Sequence, residues 1–157
     1  NIIKPIKLIN QKETQKIFNI NVIYFINIIS KLNYGNLFLK NSSVLCVSSI
    51  ITKKHSVGMS LYSSTKASLN DFIQSAALEF SKDLIRFNSI NLGHISLGMG
   101  LYSTKFLSKN ELNDFEKKYP LGFGKSKNLN DLIIFLLSDK SSWITGVNID
   151  LDGGYKL

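Results

Sequence analysis

Residues 44–47, Val-Leu-Cys-Val, form an unbroken apolar run between Asn41-Ser42-Ser43 and Ser48-Ser49. A run this short, apolar at every position and bounded by polar residues, suits a strand of a parallel sheet covered on both faces. The chain around it supplies the cover. Residues 11–32 read as a long helix with Ile17, Ile20, Tyr24 and Ile28 on one face. Ser48–Ser60 is polar, carries Gly58 and reads as a loop. Residues 61–84 read as a second long helix, with Leu69, Phe72, Ile73, Ala76, Phe80 and Leu84 on one side. Arg86–Leu92 alternates as a strand does and is ended by Gly93, and Gly98 and Gly100 then mark a loop. Ser108-Lys109-Asn110-Glu111 is a capping-box pattern that opens a short helix. A further helix is predicted from about Asn128 to Ser138, and a last strand at Val147–Leu151. Strands separated by helices imply an α/β fold with a parallel sheet.

Composition narrows the class. The 157 residues suit one domain, and 44% hydrophobic against 19% charged residues excludes a disordered chain. Lysine and arginine outnumber the acids 19 to 11, a net charge of +8, yet Arg86 is the sole arginine and the lysines are scattered. Nucleic-acid binders cluster arginine and aromatics on one face, so the charge reads as solvated lysine faces and no nucleic-acid partner is expected. The most apolar segment, Ile17–Ile29, carries three asparagines and falls short of the roughly 20 apolar residues that a membrane-spanning helix needs. Cys46 has no cysteine to pair with, and His55 and His94 are not at metal-ligand spacing. A reducing, cytoplasmic setting and the absence of a metal are the expectations.

Four residues carry chemistry. Tyr62 and Lys66 stand at i and i+4 near the start of the second long helix, so they share a face. An ammonium beside a phenol favours the phenolate, which is expected to bring the tyrosine pKa down from about 10 and make it a general acid/base toward a carbonyl or alcohol oxygen. Ser49 lies 13 residues before Tyr62, at the carboxyl end of the buried strand, where parallel sheets build their sites. Its hydroxyl can donate to a substrate oxygen. Asn21 lies 28 residues earlier, amid Ile20, Val22 and Ile23, where its amide is costly to bury unbonded.

With these spacings, Tyr62-Ser-Ser-Thr-Lys66-Ala67, Ile85–Ile90 and Ile144-Thr145-Gly146 followed by Asp152-Gly153-Gly154, the chain resembles the short-chain dehydrogenase/reductase family in its 3-oxoacyl-carrier-protein-reductase-like branch. The resemblance implies a Rossmann-like doubly wound sheet and NAD or NADP as cofactor. It implies that Tyr62 exchanges the proton, Lys66 lowers its pKa and bonds the nicotinamide ribose, and Ser49 holds the carbonyl. Asn21 would position a water in a relay to Lys66, and the backbone of Gly93 and Ile95 would meet the nicotinamide carboxamide. Residues 97–120 would form a substrate lid, the substrate would be a small carbonyl or alcohol, and the two long helices would build a homo-oligomer interface.

The family pattern is departed from at three places. Leu92 stands for the usual proline and Leu97 for the usual threonine, whose lost hydroxyl costs about 0.5–1.5 kcal/mol of cofactor contact. No glycine-rich turn opens a helix, and the chain begins at Asn1 rather than methionine. Residues 1–157 therefore read as the C-terminal part of one Rossmann-like domain of roughly 250 residues, with the N-terminal dinucleotide-binding strands absent. An alternative reading is a truncated or degenerate non-catalytic paralogue that serves only as an interaction or structural chain.

Overall fold

The computed structural model describes residues 3–157. Its sheet contains three parallel strands in spatial order: β1 (Ser43–Ser49), β2 (Arg86–Leu92) and β3 (Asn148–Leu151). The register pairs Ser49 with Leu92 and Leu92 with Leu151, so the carboxyl ends of all three strands finish in one row. The apolar run at 44–47 is the centre of β1, which extends through Ser49. The stretch read as loop therefore begins later, with a 3₁₀ turn at Ile50–Thr52.

The first long helix is two α-segments, α1 (Gln11–Phe18) and α2 (Tyr24–Tyr34), joined without a break by a π-helical turn at Asn19–Ile23. Asn10 caps its start by accepting from the Glu13 N–H at 3.0 Å, and Gly35 stands at its end. The π-turn corrects the expected face. It adds one residue to the helix, which rotates everything downstream by about 100°. Ile17 remains buried, but the inward positions after it are Val22 and Ile29, while Ile20, Tyr24 and Ile28 are each 57% exposed.

The second helix, α3 (Ser60–Glu79), buries Leu69, Ile73, Ala76 and Ala77 against the sheet. It ends before Leu84, which the helical pattern included. Leu84 follows a 3₁₀ turn, has a left-handed backbone (φ 57°) and points to solvent. Strand alternation places Val44 and Cys46 in the core with α2 and α3, where Phe38, Phe80 and Phe87 pack with centroids 5.0–6.1 Å apart. Downstream of β2 come α4 (Met99–Thr104) and α5 (Lys109–Glu116), the latter opened by the expected capping box at Ser108 and Glu111. Helix α6 begins slightly earlier than expected, at Ser126, runs to Leu137 and covers the other face of the sheet.

In strand β2 every residue from Arg86 to Asn91 is buried. Its polar side chains are all bonded. Ser89 lies 2.5 Å from Asn148 Oδ1, and Asn88 donates to the Ile144 carbonyl and accepts from the Val147 N–H. Arg86 donates to the Leu136 carbonyl (2.9 Å), Ser141 Oγ (2.8 Å) and the Ser138 carbonyl (3.1 Å). The guanidinium thus closes the carboxyl end of α6, where the helix dipole favours a cation. Replacing Arg86 with methionine removes three hydrogen bonds from a charged donor and is expected to lower the unfolding free energy by about 2–3 kcal/mol, read from the urea midpoint; an unchanged midpoint contradicts it.

Candidate active site

Ser49 ends β1 and starts the following turn: its Oγ accepts from the Ile51 N–H at 3.3 Å, and its carbonyl accepts from Thr52 Oγ1 at 3.0 Å. Its side chain lies close enough to the Tyr62 phenol to oppose the rise of the phenol pKa. Tyr62 sits in the first turn of α3, so the end of β1 and the start of α3 present two hydroxyls to one place.

Lys66 stands one turn further along α3, held from behind by Ser48 Oγ, which donates to the Lys66 carbonyl at 3.3 Å. Its ammonium donates to the Val47 carbonyl at 3.0 Å and lies 5.8 Å from the Tyr62 ring centroid. Asn21 lies in the π-turn and donates from Nδ2 to Thr65 Oγ1 at 3.1 Å, while Thr65 Oγ1 donates to the Tyr62 carbonyl at 2.8 Å. Asn21 and Lys66 line one cavity of about 300 Å³ together with Cys46 and Val47. The structure therefore gathers all four residues around the end of β1 and the first two turns of α3, with Ser49 beside Tyr62 and with Asn21 and Lys66 lining one cavity.

The electrostatics differ from the sequence expectation. Burial pushes the Tyr62 phenol above its ordinary value, against the opposing influence of Ser49, and burial pushes the Lys66 ammonium down. No lowering of Tyr62 by Lys66 operates here, because the ammonium is directed at the Val47 carbonyl on the strand edge instead of the phenol oxygen. Burial likewise pushes the Cys46 thiol up despite nearby Lys66, consistent with an inert cysteine.

Gly93 follows β2 in the same row as Ser49, and its N–H donates to the Leu151 carbonyl at 2.9 Å. A Cβ here would lie 2.7 Å from Asp152 Cα, so close packing of the chain requires the glycine. Ile95 is buried and bridged to Gly124. Between them, His94 enters an aromatic cluster with Phe115, Tyr119 and Phe123, the last 4.1 Å away between centroids. Tyr155 stacks on Tyr119 at 4.4 Å. Sequence spacing leaves this cluster ungrouped, although Phe115, Tyr119 and Phe123 at successive intervals of four are the signal that marks it. Burial lowers the His94 imidazole, opposed by the Glu116 charge.

Among the described residues, no group of three or more His, Cys, Asp or Glu side chains is placed to hold a metal ion, and no helix is long and apolar enough to cross a membrane.

Parallel strands with helices on both faces and polar groups gathered at the strands' carboxyl ends define the Rossmann-like α/β class. A family model described as Enoyl-(Acyl carrier protein) reductase matches residues 2–156. A 3-oxoacyl-[acyl-carrier-protein] reductase of Chlamydia trachomatis is 30% identical over 146 residues, covering 92% of this chain and 57% of that relative. A crystal structure of a short chain dehydrogenase family protein from Francisella tularensis superposes with a TM-score of 0.88 at 28% identity, covering 98% of this chain and 66% of the other. The structure of angucycline C-6 ketoreductase LanV with bound NADP shares the fold, with a TM-score of 0.87 at 18% identity over 99% of this chain and 58% of LanV. The chain belongs to the short-chain dehydrogenase/reductase family and spans about half the length of the curated relative it matches.

Burial and the neighbouring Tyr155 push the Tyr119 phenol up to about 12, while its bond to the His94 backbone opposes the shift. The folded value lies above the ordinary value of 10.0, so this contribution to stability is intact below pH 10 and lost as pH climbs toward 12. Tyr119→Phe is expected to flatten the alkaline fall of stability in that window, followed by denaturant titration at stepped pH; an unchanged slope contradicts it.

Proposed function

We propose that this chain carries the catalytic half of an NAD(P)-dependent oxidoreductase that interconverts a carbonyl and an alcohol. The observation behind it is the placement of Ser49 beside Tyr62 at the end of β1, with Lys66 one helical turn away and lining one cavity with Asn21. The donor set fits the nicotinamide half of a dinucleotide: Lys66 and Tyr62 would hold the ribose hydroxyls, and the backbone of Gly93 and Ile95 the carboxamide. When bound, the nicotinamide supplies or accepts the hydride.

The chain's own residues handle the oxygen and the proton. Ser49 donates to the carbonyl oxygen and holds it beside Tyr62. Burial keeps Tyr62 protonated, the form needed by a general acid that protonates this oxygen during reduction. Lys66 faces the cavity that Asn21 lines, so the proton lost by Tyr62 is replaced from that side. The exposed Leu97, Leu101, Tyr102 and Phe106 make residues 97–120 an apolar lid for the substrate. Tyr62→Phe is expected to reduce turnover of a 3-oxoacyl thioester, followed by nicotinamide absorbance, by about a hundredfold or more. Turnover at the wild-type rate would refute the mechanism.

A non-catalytic reading has one observation in its favour: Lys66 is bonded to the Val47 carbonyl and does not activate the phenol. Calorimetric titration with NADH and NADPH separates the two, since saturable binding at micromolar concentration supports the enzyme and its absence supports the structural chain.

Self-association fits the apolar stripe of Ile20, Ile23, Tyr24 and Ile28, which the π-turn leaves on the outside of the first long helix. The free, buried Cys46 fits a cytoplasmic setting. Changing Ile20 and Tyr24 together to aspartate is expected to convert the assembly to monomer in analytical ultracentrifugation, and an unchanged sedimentation coefficient argues against this interface.

A further inference from the structure

Tyr62, Lys66 and Asn70 succeed one another at intervals of four along one ridge of α3. The first two face the site, whereas Asn70 is buried beneath it and none of the chemistry above uses it. Its amide Nδ2 donates to Asn91 Oδ1 at 2.8 Å and approaches Thr52 Oγ1 at 3.5 Å, and its Oδ1 accepts from Ser89 Oγ at 3.1 Å. Asn91 in turn donates to Asp150 Oδ1 at 2.7 Å, and the other Asp150 oxygen accepts from Lys156. At the opposite end, Thr52 Oγ1 donates to the Ser49 carbonyl at 3.0 Å.

The chain of bonds has one direction, and Asp150 sets it. An ionised carboxylate only accepts, so Asn91 must turn its NH₂ toward Asp150 and its oxygen toward Asn70. Asn70 must then present its own NH₂ to Asn91. The second hydrogen of that NH₂ points at Thr52, whose single hydroxyl proton is left for the Ser49 carbonyl. Burial pushes the Asp150 carboxyl up, but the hydrogen bonds from Lys156 and Asn91, with the charges of Lys156 and Lys53, bring it below its ordinary value and keep it ionised.

We infer that Asn70 is a positioning residue: oriented by Asp150 through Asn91, it fixes the Ser49 turn relative to the α3 ridge that carries Tyr62. The inference rests on the oxidoreductase reading for its kinetic consequence and on the hydrogen bonds alone for its structural one. A buried amide that joins three elements holds them in one arrangement, because any slip leaves a donor or acceptor unpaired.

The test uses Asn70→Leu, which removes the bonds at similar volume, and Asp150→Asn, which keeps the shape but lets the amides flip. Both are expected to speed backbone hydrogen exchange in residues 49–53 by roughly tenfold, more than in β2 and β3. Asn70→Leu is expected to lower kcat by about tenfold while KM for the nicotinamide nucleotide stays within about twofold, a split that general destabilisation does not produce. Unchanged exchange in 49–53, or faster exchange at wild-type kcat, overturns the inference. If Asn70→Leu does not fold, Asp150→Asn decides on exchange and kcat together. If wild-type protein turns over no carbonyl substrate, the oxidoreductase reading fails, and the exchange result alone decides whether Asn70 fixes the turn.

Discussion

Strand β2 is buried from Arg86 to Asn91, and four of those six side chains are polar. A buried polar group without a partner costs about 1–3 kcal/mol, so this strand can exist only where its surroundings supply partners. Arg86 requires the carboxyl end of α6, Asn88 the loop before β3, Ser89 and Asn91 require α3 and β3. The neighbours of β2 are thereby fixed in position as well as in order. The row of strand ends that holds Ser49 and Gly93 inherits that precision.

Much of this was legible in the sequence. The capping box at Ser108 and the limits of β2 each rest on a local rule and appear where the rule puts them; the apolar run at 44–47 is a strand as expected, but Val47 is 42% exposed, so the strand is not covered on both faces. The spacings among Asn21, Ser49, Tyr62 and Lys66 carried the candidate site, and the fold does bring the four together. What failed were inferences that needed a neighbour. The outward position of Ile20, Tyr24 and Ile28 depends on a π-turn that a 3.6-residue period cannot show. The raised phenol of Tyr62 depends on burial, which is not written in the i,i+4 spacing.

The polar residues of β2 show the same limit from the other side. Ser89 and Asn91 share a strand face with Phe87, and nothing in the spacing says what meets them there. They are core residues because Asn70, Asn148 and Asp150, distant in sequence, arrive to bond them. A period of two identifies faces but not which face is wet.

The π-turn also gives the first long helix a phase. Ile17 upstream and Val22 and Ile29 downstream share one buried azimuth only because the turn takes up an extra residue, about 100° of a regular helix. A single-residue deletion between Asn19 and Ile23 would remove the extra residue and return the segment to plain α-helix, with the spacings from Ile17 to the inward positions falling from 5 and 12 to the same-face 4 and 11. The same deletion in a surface loop is a small change of length. Elsewhere in this helix it is a change of side, so this short segment fixes where alignments of related chains can place a gap.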